Sequence, residues 1–210
     1  GMNFSWSGQS CGSTSRLMLH ESLHDAVLER VLEKVRAIRL GDPRDPAAQM
    51  GPVNSAGHYR HVMRMIDSAR DEGARIICGG RRPPGEQFAR GYWVEPTVIG
   101  DVSMDMRIGR EEVFGPVLSV LRWRDMDEAV QLANASEYGL TAAVWTNDVT
   151  TAMRMARRLE CGLVWINGGG RHFMGTGFSG YKNSGLGREE CLEEVLSYTR
   201  SKSVHVIIDS

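Results

Sequence analysis

The sequence predicts an α/β fold: an open, mostly parallel twisted sheet with helices on both faces. Three observations predict it. The second half alternates short runs rich in Val and Leu with amphipathic helical runs, joined by few residues, which is the pattern of right-handed crossovers on a parallel sheet covered on both faces. The whole chain's 24 glycines mark many tight turns. Its 210 residues suffice for one domain with a sizeable core.

The elements follow in order. Residues 3–16 are small and polar, with Phe4 and Trp6 the only large apolar groups, and predict a loop or ragged helix. Leu17-Met18-Leu19 predicts a short buried strand. Ser22 and Asp25 stand at capping-box spacing before Leu23, Val27, Val31 and Val35, with Leu28, Leu32 and Ile38 beside them, which predicts a helix over 22–38 ending near Gly41. Two prolines in Gly41-Asp42-Pro43-Arg44-Asp45-Pro46 make a turn. A second helix is expected over 55–71, with Val62, Met65, Ile66 and Ala69 on one side and Gly73 as its C-terminal cap. Ala74-Arg75-Ile76-Ile77-Cys78 reads as a strand, with Cys78 in the core. Residues 92–98 are strand-like, but Pro96 cannot donate to a ladder and points to an edge or a break. Strands over 116–123, 141–146 and 163–166 alternate with helices opened by Asp125 with Glu128 and by Asn147 or Asp148. Residues 188–199 look helical, and 202–208 alternate like a half-buried strand. In such sheets ligands gather outside the carboxyl ends of the strands, where Gly168-Gly169-Gly170 follows Ile166.

Composition excludes several function classes. A net charge of −1 with mixed signs disfavours nucleic acid and anionic membranes as partners. No apolar run approaches the ~20 residues of a membrane helix. Four separated cysteines in no metal-ligand spacing imply neither a disulfide framework nor a metal site, and fit a reducing, cytoplasmic setting. Gly1 before Met2 reads as the scar of a removed tag. No Gly-x-Gly-x-x-Gly follows a strand, so no dinucleotide fingerprint is present.

The chemistry-bearing stretch is Gly8-Gln9-Ser10-Cys11-Gly12-Ser13-Thr14. Small neighbours leave room for a bound group at the Cys11 sulfur, and a thiolate is a strong nucleophile. By themselves these residues leave two readings, a nucleophile and an inert small apolar group.

Several stretches together resemble one family, the NAD(P)-dependent aldehyde dehydrogenases. They are Gly8-Gln9-Ser10-Cys11, Gly41-Asp42-Pro43 with Met50-Gly51-Pro52-Val53, and Glu111-Glu112-Val113-Phe114-Gly115-Pro116. Tyr138-Gly139-Leu140-Thr141-Ala142, Trp165-Ile166-Asn167, and Gly180-Tyr181-Lys182 leading to Ser184-Gly185 and Gly187-Arg188-Glu189 follow in the family's order. The resemblance covers essentially the whole chain. It implies Cys11 as the nucleophile, which forms a thiohemiacetal and then a thioester. It implies Glu112 on the nicotinamide ribose and Phe114 beside the nicotinamide. Ser10 and Gly12, together with His172, Phe173 and Phe178 of the loop over 168–178, are expected at the substrate, with His172 read as no base. NAD or NADP is the implied cofactor, a small-molecule aldehyde the substrate, and a homo-oligomer the assembly. Residues 1–199 are expected to form the thiol-bearing catalytic portion and 200–210 a C-terminal strand used in oligomerisation. Gly177-Phe178-Ser179-Gly180 departs from the family's Pro-(Phe/Trp)-Gly-Gly and alters the substrate mouth. The family's cofactor domain, general base and oxyanion asparagine lie upstream of its nucleophile. The chain alone is therefore expected not to turn over. The alternatives are a non-catalytic assembly domain and a cofactor-free thiol esterase.

Overall fold

The computed structural model describes residues 3–208. Gly1 and Met2, the expected tag scar, and Asp209 and Ser210, the end of the expected C-terminal strand segment, lie outside the described residues.

The chain opens with an irregular segment and then forms β1 (Arg16–His20), α1 (His24–Arg36), α2 (Ala56–Asp71), β2 (Arg75–Cys78) and β3 (Thr97–Gly100). After the short α3 (Arg107–Arg110) come β4 (Val117–Trp123), α4 (Met126–Asn134), β5 (Tyr138–Gly139), β6 (Thr141–Val144), α5 (Val149–Arg158) and β7 (Leu163–Ile166). Three two-residue strands, β8 (Phe178–Ser179), β9 (Tyr181–Lys182) and β10 (Arg188–Glu189), precede α6 (Leu192–Ser197). The main sheet runs β1-β4-β3-β2, with β1, β4 and β3 parallel and β2 antiparallel at one edge. β6 and β7 pair in parallel as a separate ribbon.

The two faces of β4 account for the core. Side chains alternate along a strand, so Val117 and Leu121, with Ile99 of β3, meet Val62, Met65 and Ile66 of α2. Leu118 and Val120, with Val98 of β3 and Leu19 of β1, turn the other way onto Leu28 and Val35 of α1. The four apolar residues expected on the inner face of α2 are the four it buries. Its N-cap is Ser55, whose hydroxyl accepts from the His58 N–H, and Gly73 (φ +93°) ends it. Asp125 accepts from the Glu128 N–H, and Asp148 from the Thr150 and Thr151 N–H groups, each satisfying donors that the helix leaves unpaired.

Four expectations need correction. Ser22 does not cap α1: its hydroxyl meets the His20 ring at 2.7 Å, and the Asp25 carboxylate is drawn to His24 and Arg122, so the helix begins at His24. The strand expected at 92–98 lies at Thr97–Gly100, inside the sheet, because the ladder starts only past Pro96, whose missing N–H then costs nothing. The helix over 188–199 shrinks to Leu192–Ser197, since Arg188 and Glu189 pair with β8. Residues 202–208 carry no strand, and Val204, Val206, Ile207 and Ile208 are exposed. A strand has no ladder without a partner edge, and alternation alone supplies none.

Candidate active site

Cys11 sits at a tight turn closed by the Ser13 N–H donating to the Ser10 carbonyl at 3.0 Å, and it is exposed. The segment before it is pinned to distant parts of the chain. Ser7 Oγ donates to the carbonyls of Gly51 (2.7 Å) and Pro52 (3.2 Å), and Asn3 Nδ2 to that of Val117 (3.3 Å). Gln9 Oε1 accepts from the Asn54 N–H at 3.0 Å. Gly8 has φ +69°, and a methyl there would stand 2.0 Å from the Gly115 carbonyl oxygen. Only a residue without Cβ lets the strand of chain before Cys11 lie against the 113–116 loop.

That loop carries the second group. Glu111 is held by the Arg107 guanidinium at 2.8 Å, which keeps its carboxyl below the usual range. Glu112 has no ion-pair partner among the described residues. Much of its surface stays open to solvent, yet the surrounding chain crowds its carboxyl enough that burial pushes its pKa up. Both carboxyls border the same cleft, Glu111 tied to Arg107 of α3 and Glu112 without such a tie. Phe114 has φ +53°, in the region side chains avoid. His58 Nε2 donates to its carbonyl at 2.6 Å, and its ring remains exposed.

Cys11 and Glu112 line one cleft of about 1150 Å³. Cys11 lies just before β1 and Glu112 just before β4, and the Thr141 hydroxyl, at the start of β6, donates to the Gly12 carbonyl at 3.4 Å. The thiol and the carboxylate thus sit at the amino ends of the strands, not at the carboxyl ends, because loops entering the strands carry both. Ser10 and Gly12 share the Cys11 turn. Of the other expected site residues, Ser10, Gly12, Phe114, His172, Phe173 and Phe178 do not line this cleft. His172 packs edge-on between Trp165 and Phe178, at ring distances of 6.0 and 5.1 Å, and pairs with Glu190 at 2.9 Å, while Phe173 is exposed. Ser179, the departure in the substrate-mouth motif, is tied into β8, and a methyl on Gly162 would stand 1.6 Å from its carbonyl oxygen. Gly8, named from the sequence only as part of the Cys11 stretch, holds the site in place together with Ser7 and His58, which the sequence did not single out. Among the described residues no cluster of three or more His, Cys, Asp or Glu is placed to hold a metal, and no helix is long and apolar enough to cross a membrane.

The aldehyde dehydrogenase family profile matches residues 1–204. The chain belongs to the aldehyde dehydrogenase family. It is 48 % identical over 210 residues to aldehyde dehydrogenase tropH of Talaromyces stipitatus, covering 98 % of this chain and 41 % of that one. A betaine aldehyde dehydrogenase of Brucella anthropi is 41 % identical over 204 residues, covering 97 % and 42 %. Among solved structures, a point mutant of betaine aldehyde dehydrogenase from Staphylococcus aureus, in complex with NAD+ and with a BME-modified cysteine, superposes with a TM-score of 0.90 at 41 % identity, over 93 % of this chain and 40 % of that one. An apo mutant of the same enzyme gives 0.91 at 40 % identity, over 96 % and 40 %. The chain therefore spans about two fifths of the length of these aldehyde dehydrogenases.

The strained protonation of Glu112 yields a first prediction. In the folded chain its carboxyl binds a proton more tightly than in the unfolded chain. The resulting penalty is absent below the unfolded carboxyl range and grows as pH rises through the folded value. Glu112→Gln is expected to raise the urea midpoint at neutral pH, with the gain vanishing below about pH 4. A difference that stays constant from acid to neutral pH refutes the assignment.

Proposed function

We propose that the chain is the thiol-bearing catalytic portion of an enzyme that oxidises an aldehyde to a carboxylic acid. The observation that carries this is the cleft shared by Cys11 and Glu112 on an aldehyde dehydrogenase scaffold. The Cys11 thiolate attacks the aldehyde carbon, forming a C–S bond while the carbonyl pair moves onto oxygen. The Cys11 backbone N–H stabilises that oxyanion, with Ser10 and Gly12 beside the substrate. NAD+, named in the structures of the relatives, supplies the hydride acceptor when bound. The acyl group left on Cys11 is a thioester, and water releases it as the acid with return of the thiol. Ionised Glu112 accepts hydrogen bonds only, which suits the paired hydroxyls of a ribose, and Phe114, two residues further on, is assigned to the nicotinamide with its side chain partly exposed. Residues 200–208, bare at Val204, Val206 and Ile208, are assigned to association with a second copy.

The test is peptide-resolved alkylation by iodoacetamide. Burial pushes the Cys78 and Cys161 thiols up, whereas Cys11 is open to solvent. Cys11 is expected to label at least about tenfold faster than Cys78 and Cys161, and an added aldehyde is expected to slow Cys11 alone. Equal rates, indifferent to aldehyde, refute the nucleophile assignment.

A further inference from the structure

Three consecutive residues before the thiol, Trp6, Ser7 and Gly8, have φ of +53°, +57° and +69°. No other run of three in this region occurs among the described residues. Gly8 takes the conformation freely, but in Trp6 and Ser7 the Cβ crowds the following carbonyl oxygen. A bulky side chain there is an outlier. Trp6 gains little from burial in return, since it is 70 % exposed. Strain of this kind persists only where the surrounding structure over-determines it.

The contacts that hold it are few and directional. Ser7 is buried, and its hydroxyl is shared between the carbonyls of Gly51 and Pro52. Gln9 supplies the rest. The Trp6 carbonyl accepts from the Gln9 backbone N–H at 3.1 Å and again from Gln9 Nε2 at 3.2 Å. On its other side the same carboxamide accepts, through Oε1, from the Asn54 N–H at 3.0 Å. Turning the carboxamide over would set N–H against N–H and oxygen against oxygen, so its orientation is fixed. Asn54 is a firm anchor. Val53 before it is buried and donates its N–H to the Tyr92 carbonyl at 2.9 Å, and Ser55 after it caps α2. One side chain thus ties the left-handed turn to the start of α2, two residues ahead of Cys11.

We propose that Gln9 is the positioning residue of Cys11: its carboxamide clamps Trp6–Gly8 in a left-handed turn, and that turn delivers the chain into the Ser10–Ser13 turn bearing the thiol. The inference rests on the reading of Cys11 as the nucleophile. A nucleophile and the N–H that stabilises its oxyanion act only from a fixed geometry, and the Cys11 N–H belongs to the backbone that the clamp holds. Leucine at position 9 has nearly the shape of glutamine and keeps the backbone N–H, but makes neither bond of the carboxamide. Without those bonds Trp6 is expected to leave the left-handed region and carry residues 10–13 with it. Asparagine tolerates that region better than other side chains, so Trp6→Asn is expected to hold the turn without the clamp.

The experiment compares the full chain with Gln9→Leu, Trp6→Asn and the double variant, by residue-resolved amide exchange and by the slowing of Cys11 alkylation on adding propanal. Gln9→Leu is expected to speed exchange at the Ser13 N–H, which closes the Cys11 turn, at least about tenfold. It is also expected to remove the effect of propanal on Cys11. Trp6→Asn alone is expected to raise the urea midpoint. In the double variant the Asn54 N–H stays unprotected, while protection at Ser13 and the effect of propanal both return. Unchanged exchange at Ser13 in Gln9→Leu overturns the proposal. So does a double variant that behaves like Gln9→Leu, because the loss then comes from the broken tie to Asn54 and not from strain at Trp6. Propanal without effect on the wild-type chain, with exchange at Ser13 as expected, overturns the reading of Cys11 and supports the clamp.

Discussion

Gly8→Ala is expected to destabilise the chain by about 2–5 kcal/mol and to release the Cys11 turn from its seat. Two costs combine. At φ +69° a side chain is strained by about 1–2 kcal/mol. A methyl 2.0 Å from the Gly115 carbonyl oxygen and 2.7 Å from that of Asn3 then forces backbone, not a flexible side chain, to move, which adds about 1–3 kcal/mol. Gly73→Ala separates the two costs. It has φ +93° but open space around it, so it is expected to lose only about 1–2 kcal/mol. Urea midpoints at unchanged slope measure both. Equal losses at the two glycines exclude the close packing of the Cys11 segment on the 113–116 loop. Iodoacetamide labelling gives the functional counterpart: Gly8→Ala is expected to remove the effect of aldehyde on Cys11 while leaving the thiol exposed.

The contrast between Gly8 and Cys11 shows where the sequence is informative. Local chemistry is written in short spacings, so Ser55, Asp125 and Asp148 mark helix starts correctly and Gly73 marks an end. Period-two and helical patterns likewise assign Val62, Met65, Ile66 and Ala69 to the core. Ser22 and Asp25 have the same spacing as Asp125 and Glu128, yet fail as a cap because His20, His24 and Arg122 compete for their oxygens. Arg122 arrives from the far end of a strand, which no local window contains. Gly8 is legible as a small residue near a cysteine, but its contact with Gly115 spans half the chain. The pairing of Cys11 with Glu112 in one cleft is legible through family resemblance, since nothing in either segment encodes the meeting. Residues 202–208 fail for the opposite reason: their alternation is strand-like, and a strand exists only against another edge.

Leu121→Ala is expected to cost about 2–5 kcal/mol, a large share of a typical domain's 5–15 kcal/mol. Leu121 is 1 % exposed and lies with Ile99 and Val117 on the α2 face of the sheet, among side chains with no route to solvent. The cavity left by its truncation adds to the lost transfer energy, because a close-packed neighbourhood collapses only partly. Leu17→Ala, one residue of register away on β1, removes the same atoms from a strand whose other side borders the cleft. Leu17 is half-buried and already meets solvent, so its loss is expected to be about 1 kcal/mol. The difference measures how incomplete the core is along the β1 wall. Urea midpoints for both variants at unchanged slope decide this. An equal cost for the two variants means that the β1 wall is already closed.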